Sequence, residues 1–466
     1  MIFSTLFIVL NTFFIAKEQF WFMAVPVVLL IVFTAFIALD VLMLITVFLT
    51  PLSIILQNYN FGIAISIPTE PLLVGVMVIY MLRTLYEGKA DKKILFHPVT
   101  IAVLLNLLWI FITCITSSLP MVSWKFLLAR LWLVIPFFFV AMHMFKEKKN
   151  MRKHLWLYVI SFSVVIVYTV IIHAMDNFSE EKAHVAMTPF YNDHTSYGAM
   201  LAMYIPVLIY FSFDKSYSQK IRYIASAFLL VFIVGIIFSY TRAAWLSIVG
   251  ALVALSIFLL RIRLVPILVM CAVMIGLFFI YQNEIMSQLE SARHKNVRNR
   301  GIEQRLQSIA NITTDASNTE RFNRWAAAMR MFNEKPLLGW GPGTYQFQYA
   351  PFQISYEKTQ ISTNFGERGN AHSEYIGPLA ESGVMGMLTF IGIIVCTLLT
   401  AGKIIYHSAD KRKKYFAMAL ILGLITYFIH GALNNFLDTD KASAPFWGFI
   451  AMLVILDVSE KEKETV

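Results

Sequence analysis

Three groups of polar side chains lie at the ends of apolar segments in this sequence of 466 residues. Arg242 lies between two apolar segments, and His372 directly precedes a long apolar run. Arg321 and Arg324 lie three positions apart, so both would project from one face of a helix. Guanidinium groups match phosphate oxygens, and a histidine can take a proton from a hydroxyl group near neutral pH. These residue types predict a site for a substrate with an anionic phosphate and a nucleophilic alcohol.

Each group also has a simpler interpretation. Arg242 alone fits an arginine at a membrane boundary whose side chain reaches toward water. Arg321 and Arg324 fit an exposed basic helix face, and His372 fits a structural residue at a helix start. We favour a functional site because all three groups are expected on the same surface of one helix bundle, beside a large insert.

Two further polar residues, Asp193 and His194, open the apolar segment that begins near residue 194. They could line the same cavity as substrate-binding residues. They could equally cap the helix, since Asn192 and Asp193 are residue types that favour the N-cap position. The sequence favours capping.

Glu381 lies nine residues after His372. In an unbroken helix it would lie about 13 Å deeper and face roughly the opposite side. Pro378 could kink this helix, so Glu381 is a candidate substrate-binding residue with a buried structural role as the alternative.

The elements that carry these residues must be membrane helices. The chain is 58% hydrophobic and 14% charged, and its apolar residues form blocks of about 15–25, the length that spans a hydrocarbon core. Lipid cannot satisfy open backbone groups, so the sequence predicts an all-α polytopic membrane protein with about 12–14 transmembrane helices. The segment 2–16 is interpreted as the first membrane helix rather than a cleaved signal.

The charges indicate how the helices are oriented. The short basic loops near Lys89, Lys146–Lys153, Lys215, Arg261 and Lys411–Lys414 are separated by even numbers of spans, so they share one face. An excess of lysine and arginine marks the cytoplasmic side, so the net charge of +10 does not indicate nucleic-acid binding.

The opposite face carries the long insert, which divides the chain into three parts. We predict an N-terminal helix bundle over 1–281, a large loop with amphipathic helices over 282–371, and C-terminal membrane helices over 372–466. Within the insert, Phe322, Trp325, Met329 and Phe332 recur at helical spacing, and Pro336 ends the predicted helix. This helix lies either on the membrane boundary or as a cap on the bundle.

Cofactor signals are weak. The sequence has no Walker-type lysine loop, and its closest approach to a metal motif is Asp438–Asp440, in a short loop. The three cysteines lie inside apolar blocks, where cysteine acts as a small buried residue. No cofactor and no metal are therefore predicted.

Three segments carry a resemblance to a known family: "SYTRAAWLSIVGALVAL" around Arg242, "RFNRWAAAMRMFNEKPLLGWGPGTY" from Arg321, and "NAHSEYIGPLAESGVMG" around His372. In their order and predicted side of the membrane they resemble the O-antigen ligase and polymerase superfamily of bacterial membrane glycosyltransferases. The resemblance implies Arg242, Arg321 and His372 as catalytic residues. Arg324 and Trp325 are added as candidate substrate-binding residues.

The resemblance also implies the reaction. Such proteins have multispan helical folds of the GT-C type and take a glycan from undecaprenyl diphosphate at the periplasmic face of the inner membrane. A ligase attaches the glycan to lipid A-core without metal or ATP. A polymerase uses another lipid-linked repeat as acceptor, and a protein glycosyltransferase would use the same donor. From another class, the sequence leaves open a transporter of lipid-linked glycans.

Overall fold

A computed structural model of the chain describes residues 2–17, 26, 34, 37–58, 63–88, 91–281, 316–355, 358, 362 and 369–464. These residues form long helices and one two-stranded hairpin. The hairpin pairs β1 (Ile54–Asn58) with β2 (Ile63–Ile67) in antiparallel register. The first seven helices are α1 (Ile2–Ala16), α2 (Leu39–Leu49), α3 (Thr69–Glu87), α4 (Pro98–Ile115), α5 (Pro120–Phe145), α6 (Lys148–Met175) and α7 (His194–Phe213).

The second half of the chain contributes the remaining helices. They are α8 (Gln219–Phe238), α9 (Arg242–Leu259), α10 (Leu264–Ile280), α11 (Ala316–Glu334), α12 (Ile376–His407), α13 (Lys411–Leu433) and α14 (Asp440–Glu464). Within the described ranges, nine helices are long and apolar enough to cross a membrane. This confirms the all-α polytopic class. The total of 12–14 spans and the three-part division stay predictions, because segments such as 18–25 and 282–315 lie outside the described residues.

The predicted basic loops come together at one end of the bundle, here called the basic end. Lys146 Nζ lies 2.6 Å from Asp91 Oδ2, and Arg412 Nε lies 3.5 Å from Asp214 Oδ2. Tyr406 donates a hydrogen bond of 2.9 Å to the carbonyl of Ile262. A cleft lined by Lys148, Arg152, Tyr217 and Asp410 connects the second loop to the third and fifth. The opposite end, where α7, α9 and α12 begin and α13 ends, is here called the site end.

The helix α14 lies at the centre of the bundle. Its side chains are almost all buried against α5, α12 and α13. Trp447 packs edge-on against Phe138 and Phe446, with ring centroids 6.1 and 5.0 Å apart. This enclosed helix fixes the neighbouring helices whose ends form the site.

The insert helix α11 ends at Glu334, two residues before Pro336, as predicted. It packs on α12 through the buried residues Ala327, Ala328 and Met331. The predicted apolar stripe of Phe322, Trp325, Met329 and Phe332 is only half-buried. The helix therefore packs on the bundle as a cap, through the face that carries Ala328 and Met331 rather than through the predicted stripe.

The loop after α11 docks into a break in α12. Gly383 has φ 69° inside this helix, and the N–H of Val384 donates to the carbonyl of Pro336 at 2.9 Å. A Cβ on Gly383 would lie 2.1 Å from the carbonyl oxygen of Leu337, so only glycine fits. The helix breaks there rather than at Pro378, because this loop supplies the partners for the open backbone.

Candidate active site

His372 lies in a tight turn just before α12. Its φ is +47°, and its backbone N–H donates to Asn370 Oδ1 at 3.0 Å. Ser373 Oγ then accepts from the N–H groups of Tyr375 and Ile376 at 3.3 Å, which caps the start of the helix. A left-handed backbone costs a non-glycine residue about 1–3 kcal/mol, and such positions cluster at functional sites.

The imidazole of His372 is half-buried among charged groups. Burial lowers its pKa to about 4, and the positive charges of Arg324 and Arg321 act in the same direction. The carboxylates of Asp193 and Glu320 oppose this shift. The ring is therefore neutral at pH 7 and can accept a proton.

Arg321 extends from α11 to the end of a neighbouring helix. Its Nε donates to the carbonyl of Leu433, the last residue of α13, at 3.2 Å. The C-terminus of a helix carries partial negative charge, which stabilises a guanidinium. Half-buried, Arg321 keeps part of its side chain at the protein surface.

Arg324 has a different environment from Arg321. It is 5% exposed, its Nε donates to Glu320 Oε1 at 2.9 Å, and its guanidinium lies over the ring of Tyr349 at 4.6 Å. A Cβ on Gly369 would lie 1.5 Å from Nη1, so the segment before His372 passes directly against this group. The interpretation of an exposed basic helix face is therefore wrong for Arg324, because the buried carboxylate of Glu320 compensates its charge.

Arg242 is the exposed first residue of α9. The preceding residue, Thr241, donates its hydroxyl to the carbonyl of His194 at 3.0 Å. A Cβ on Gly198 would lie 2.7 Å from that hydroxyl oxygen, so glycine allows the starts of α7 and α9 to lie side by side. Arg242 and His194 consequently share the site end of the bundle.

Asp193 caps α7, as the sequence favoured. Its Oδ1 accepts from the N–H of Thr195 at 2.9 Å and lies 3.1 Å from Nδ1 of His194. Burial raises the pKa of Asp193, but hydrogen bonds from His194 and Thr195 outweigh it and hold the pKa well below its usual range. The His194 ring stacks on that of His184 with centroids 4.1 Å apart. Whether Asp193 and His194 also bind substrate stays a prediction.

His430 is a member of this cluster that the sequence analysis missed. It is buried near the end of α13, and its Nε2 lies 3.2 Å from Nδ2 of Asn434. The charges of Asp193 and Arg321 act on its ring, which lies beside the backbone of Ala243. His430 therefore connects the end of α13 with the start of α9. A histidine near the end of an otherwise apolar span was the available signal.

These contacts bring the predicted catalytic residues to one end of the bundle. His372 lies within electrostatic reach of Arg321, Arg324 and Asp193. Arg242 lies at the same end because its two sequence neighbours make contacts there. Thr241 donates to the carbonyl of His194, and the backbone of Ala243 lies beside His430. Trp325, from the same helix as Arg321, packs edge-on against Phe322 at 5.5 Å between ring centroids, and its contact with substrate stays a prediction.

Glu381 faces a different partner. Its Oε1 accepts from the N–H of Tyr345 at 3.0 Å, and its own carbonyl accepts from Gly341 at 2.7 Å. The carboxylate thus holds the glycine-rich loop on α12, as the structural alternative proposed. The structure does not bring Glu381 into contact with the residues around His372 through any hydrogen bond among the described residues.

Glu374, two residues after His372, was also missed. Its Oε1 accepts from the hydroxyl of Tyr427 at 2.7 Å and from the N–H of Leu437 at 2.9 Å. Burial raises its pKa to about 7, and the negative charge of Asp438 adds to this. Glu374 therefore anchors the loop between α13 and α14.

The acids of the segment 438–440 lie in ion pairs and hydrogen bonds. Asp438 Oδ1 lies 2.7 Å from Arg130 Nη2, and Asp440 Oδ2 accepts from Ser53 Oγ at 2.8 Å. Within the described part of the chain, His, Cys, Asp and Glu side chains form no group of three or more that could hold a metal ion.

Comparison with known families gives one match. The O-antigen ligase family model matches residues 225–391, about a third of the chain. This segment is similar to the O-antigen ligase family. It contains Arg242, Arg321 and His372, and the family is one of glycosyltransferase-like membrane enzymes. No curated protein sequence matches the chain significantly.

Proposed function

We propose that this protein transfers a glycan from undecaprenyl diphosphate to the sugar of lipid A-core at the periplasmic face of the bacterial inner membrane. The observation that carries the proposal is the convergence of Arg321, His372 and the start of α9 at one end of a membrane bundle. The O-antigen ligase match over the same residues supports it. The opposite, basic end supports the outward orientation of the site.

In this proposal Arg242 and Arg321 hold the diphosphate. The starts of α7 and α9 lie side by side at the site, and of these two only the start of α9 suits an anion. The start of α7 is capped by the carboxylate of Asp193, whereas Thr241 makes no side-chain capping bond at the start of α9. The first N–H groups of α9 and the Arg242 guanidinium therefore favour a phosphate oxygen there.

His372 would act on the acceptor hydroxyl, as a general base or by orienting it. As the base, the neutral imidazole takes the hydroxyl proton while the acceptor oxygen attacks the anomeric carbon of the donor sugar. The bond from that carbon to the diphosphate oxygen breaks, and undecaprenyl diphosphate leaves with the electron pair. The two arginines stabilise the negative charge that develops on the leaving group.

The donor would also strengthen the base. Burial lowers the pKa of His372 most, and the charges of Arg324 and Arg321 lower it further. A bound diphosphate compensates positive charge, so the imidazole becomes a better proton acceptor once the donor is in place. The activated bond arrives with the donor, so the reaction needs no ATP.

The decisive experiment uses the purified protein with an undecaprenyl-diphosphate-linked oligosaccharide. Lipid A-core, a second lipid-linked repeat and an acceptor protein are offered in parallel, without ATP and with a chelator present. Transfer to lipid A-core supports the ligase, and transfer to either other acceptor instead identifies a polymerase or a protein glycosyltransferase. A protein that moves the donor across a proteoliposome membrane without transfer would be a transporter, and the proposal would be wrong.

A further inference from the structure

The cleft at the basic end lies between the start of α6, the end of α7 and the start of α13. Its volume is about 360 Å³. Lys148 on one wall and Arg412 on the other are exposed, so the cleft is open at the surface of the bundle. It lies at the opposite end from His372, and the proposed transfer reaction does not use it.

Positive charge dominates the lining of this cleft. Among the described residues, the lining carries one acid, Asp410, and five cations: Lys148, Lys149, Arg152, Arg412 and Lys413. Two of the cations pair with acids outside the lining, since Lys149 Nζ lies 2.7 Å from Glu147 Oε2 and Arg412 Nε lies 3.5 Å from Asp214 Oδ2. Even with those acids counted, the cations outnumber the carboxylates.

Lys148 and Arg152 are the cations that most need an anion. Neither side chain makes a hydrogen bond or an ion pair with a residue that the structure describes. They lie four positions apart on one face of α6, where like charges repel. They also lie near the positive end of the helix dipole, and Glu147 at the N-cap makes no side-chain capping bond. A bound anion would relieve both repulsions.

The floor of the cleft is apolar. Met151, Phe211 and Leu456 line it and are 2%, 1% and 4% exposed. Phe416 completes the floor, with its ring centroid 5.4 Å from that of Tyr210. An exposed cationic rim above a buried apolar floor matches an amphiphile that carries a phosphate next to hydrocarbon. A small soluble anion would leave the floor unused.

We propose that this cleft binds an anionic phospholipid. Its phosphate lies between Lys148 and Arg152 on one wall and Arg412 on the other, and the adjoining part of its acyl chains covers the apolar floor. Basic pockets between membrane helices on the cytoplasmic side bind such headgroups. The positive-inside rule explains lysines in short loops, but it does not explain cations gathered around one concave site. The proposal is independent of the glycan-transfer reaction.

The test removes two charges inside the cleft and two outside it. The cleft variant combines Lys148→Gln with Arg152→Gln. The matched control combines Lys153→Gln with Lys220→Gln, because both lysines are exposed at the same end and lie outside the cleft lining. A third variant, Lys148→Arg with Arg152→Lys, keeps both charges. All the substituted side chains are exposed, so the fold should be retained.

Each purified protein is incubated in mild detergent with phosphatidylglycerol, with phosphatidylcholine of the same acyl chains, or with inorganic phosphate. Native mass spectrometry measures bound lipid, and thermal unfolding measures Tm. The wild type should bind phosphatidylglycerol in preference to phosphatidylcholine, and its Tm should rise with phosphatidylglycerol because the lipid binds the folded state. The cleft variant should bind phosphatidylglycerol about tenfold more weakly or worse, whereas the control and the charge-preserving variant should bind it like the wild type.

Equal binding of the two lipids by the wild type would overturn the inference. The same loss of binding in the control would also overturn it, because the attraction would then belong to the whole basic end. Unchanged binding in the cleft variant would be equally contradictory. If inorganic phosphate raised Tm as much as phosphatidylglycerol does, the cleft would be a site for a soluble anion, and the phospholipid would be wrong.

Discussion

Within the short segment 372–381, the surroundings of His372 differ from those of Glu374 and Glu381. Around His372 the neighbours are charged side chains from α11 and from the start of α7, and Nη1 of Arg324 and Nε1 of Trp325 are buried without a hydrogen-bond partner among the described residues. Around Glu374 and Glu381, carboxylate oxygens accept from backbone N–H groups of the loops that they hold.

The difference separates chemistry from support within one motif. A carboxylate whose oxygens are occupied by backbone donors has little capacity left for a substrate, and losing it leaves buried N–H groups unsatisfied. A polar group that lacks such a bond among the described residues, such as Nη1 of Arg324 or Nε1 of Trp325, can still bind a ligand. We therefore expect substitutions around His372 to reduce transfer, and substitutions at the two glutamates to reduce stability.

The largest effect is expected at His372. Asparagine tolerates a left-handed backbone, so His372→Asn removes the imidazole while keeping the turn. We expect transfer to fall by about 10²–10⁴-fold, because general-base assistance is lost. The measurement is the initial rate of glycan transfer at equal amounts of folded protein in the membrane. Wild-type-like transfer in this variant would reject the role.

Substitutions of Arg321 and Arg324 should likewise differ, one reducing transfer and the other reducing stability. Arg321→Gln should lower transfer by about 10²–10³-fold through lost stabilisation of the leaving diphosphate, with little change in thermal stability. Arg324→Gln should instead destabilise the protein by about 3–5 kcal/mol, because Glu320 is left buried without its cation. Activity and thermal unfolding are measured on both variants. If both variants lost transfer and stability to the same extent, the different roles of Arg321 and Arg324 would be contradicted.

Glu381 tests the supporting region. Glu381→Ala removes the acceptor for the N–H of Tyr345, and we expect stability to fall by about 1–3 kcal/mol. Transfer per folded molecule should stay within about threefold of the wild type, well below the losses expected at His372. Thermal unfolding and transfer are measured on the same preparation. A large loss of transfer at unchanged stability would assign Glu381 to substrate instead.

The smallest effect is in the pH profile. The active form of His372 is the neutral imidazole, and its pKa is lowered to about 4, so the acid limb of kcat/KM moves to lower pH than for an ordinary histidine. We expect kcat/KM to change little between pH 7 and about pH 5 and to fall near pH 4. An acid limb at the ordinary histidine pKa would contradict the lowered pKa that burial and the charges of Arg324 and Arg321 give His372.

Local sequence signals predicted several features of the fold and of the candidate site. Apolar blocks of membrane length predicted the helical class, and the residue type of Asp193 predicted its cap. The positions of Arg242, Arg321 and His372 at the ends of apolar segments, opposite the basic loops, predicted one end of the bundle for all three, and their neighbours in the structure lie there. Their roles in catalysis stay predictions.

Other parts depend on contacts distant in sequence. Gly383 is left-handed because the loop at Pro336 inserts beside it, whereas Pro378 was the one position at which the sequence analysis considered a kink. Arg324 is buried because Glu320 and Tyr349 enclose it. His430 lies in an apolar run, so only packing against the start of α9 places it with the site. No local pattern encodes these neighbours.

The central claim, that Arg242, Arg321 and His372 surround a donor diphosphate, is tested most directly by a structure with a non-transferable undecaprenyl diphosphate sugar bound. The account predicts phosphate oxygens within about 3 Å of both the Arg242 and Arg321 guanidinium groups. It also predicts the anomeric carbon on the side of His372. A diphosphate bound at the basic end, or one that contacts neither arginine, would contradict it.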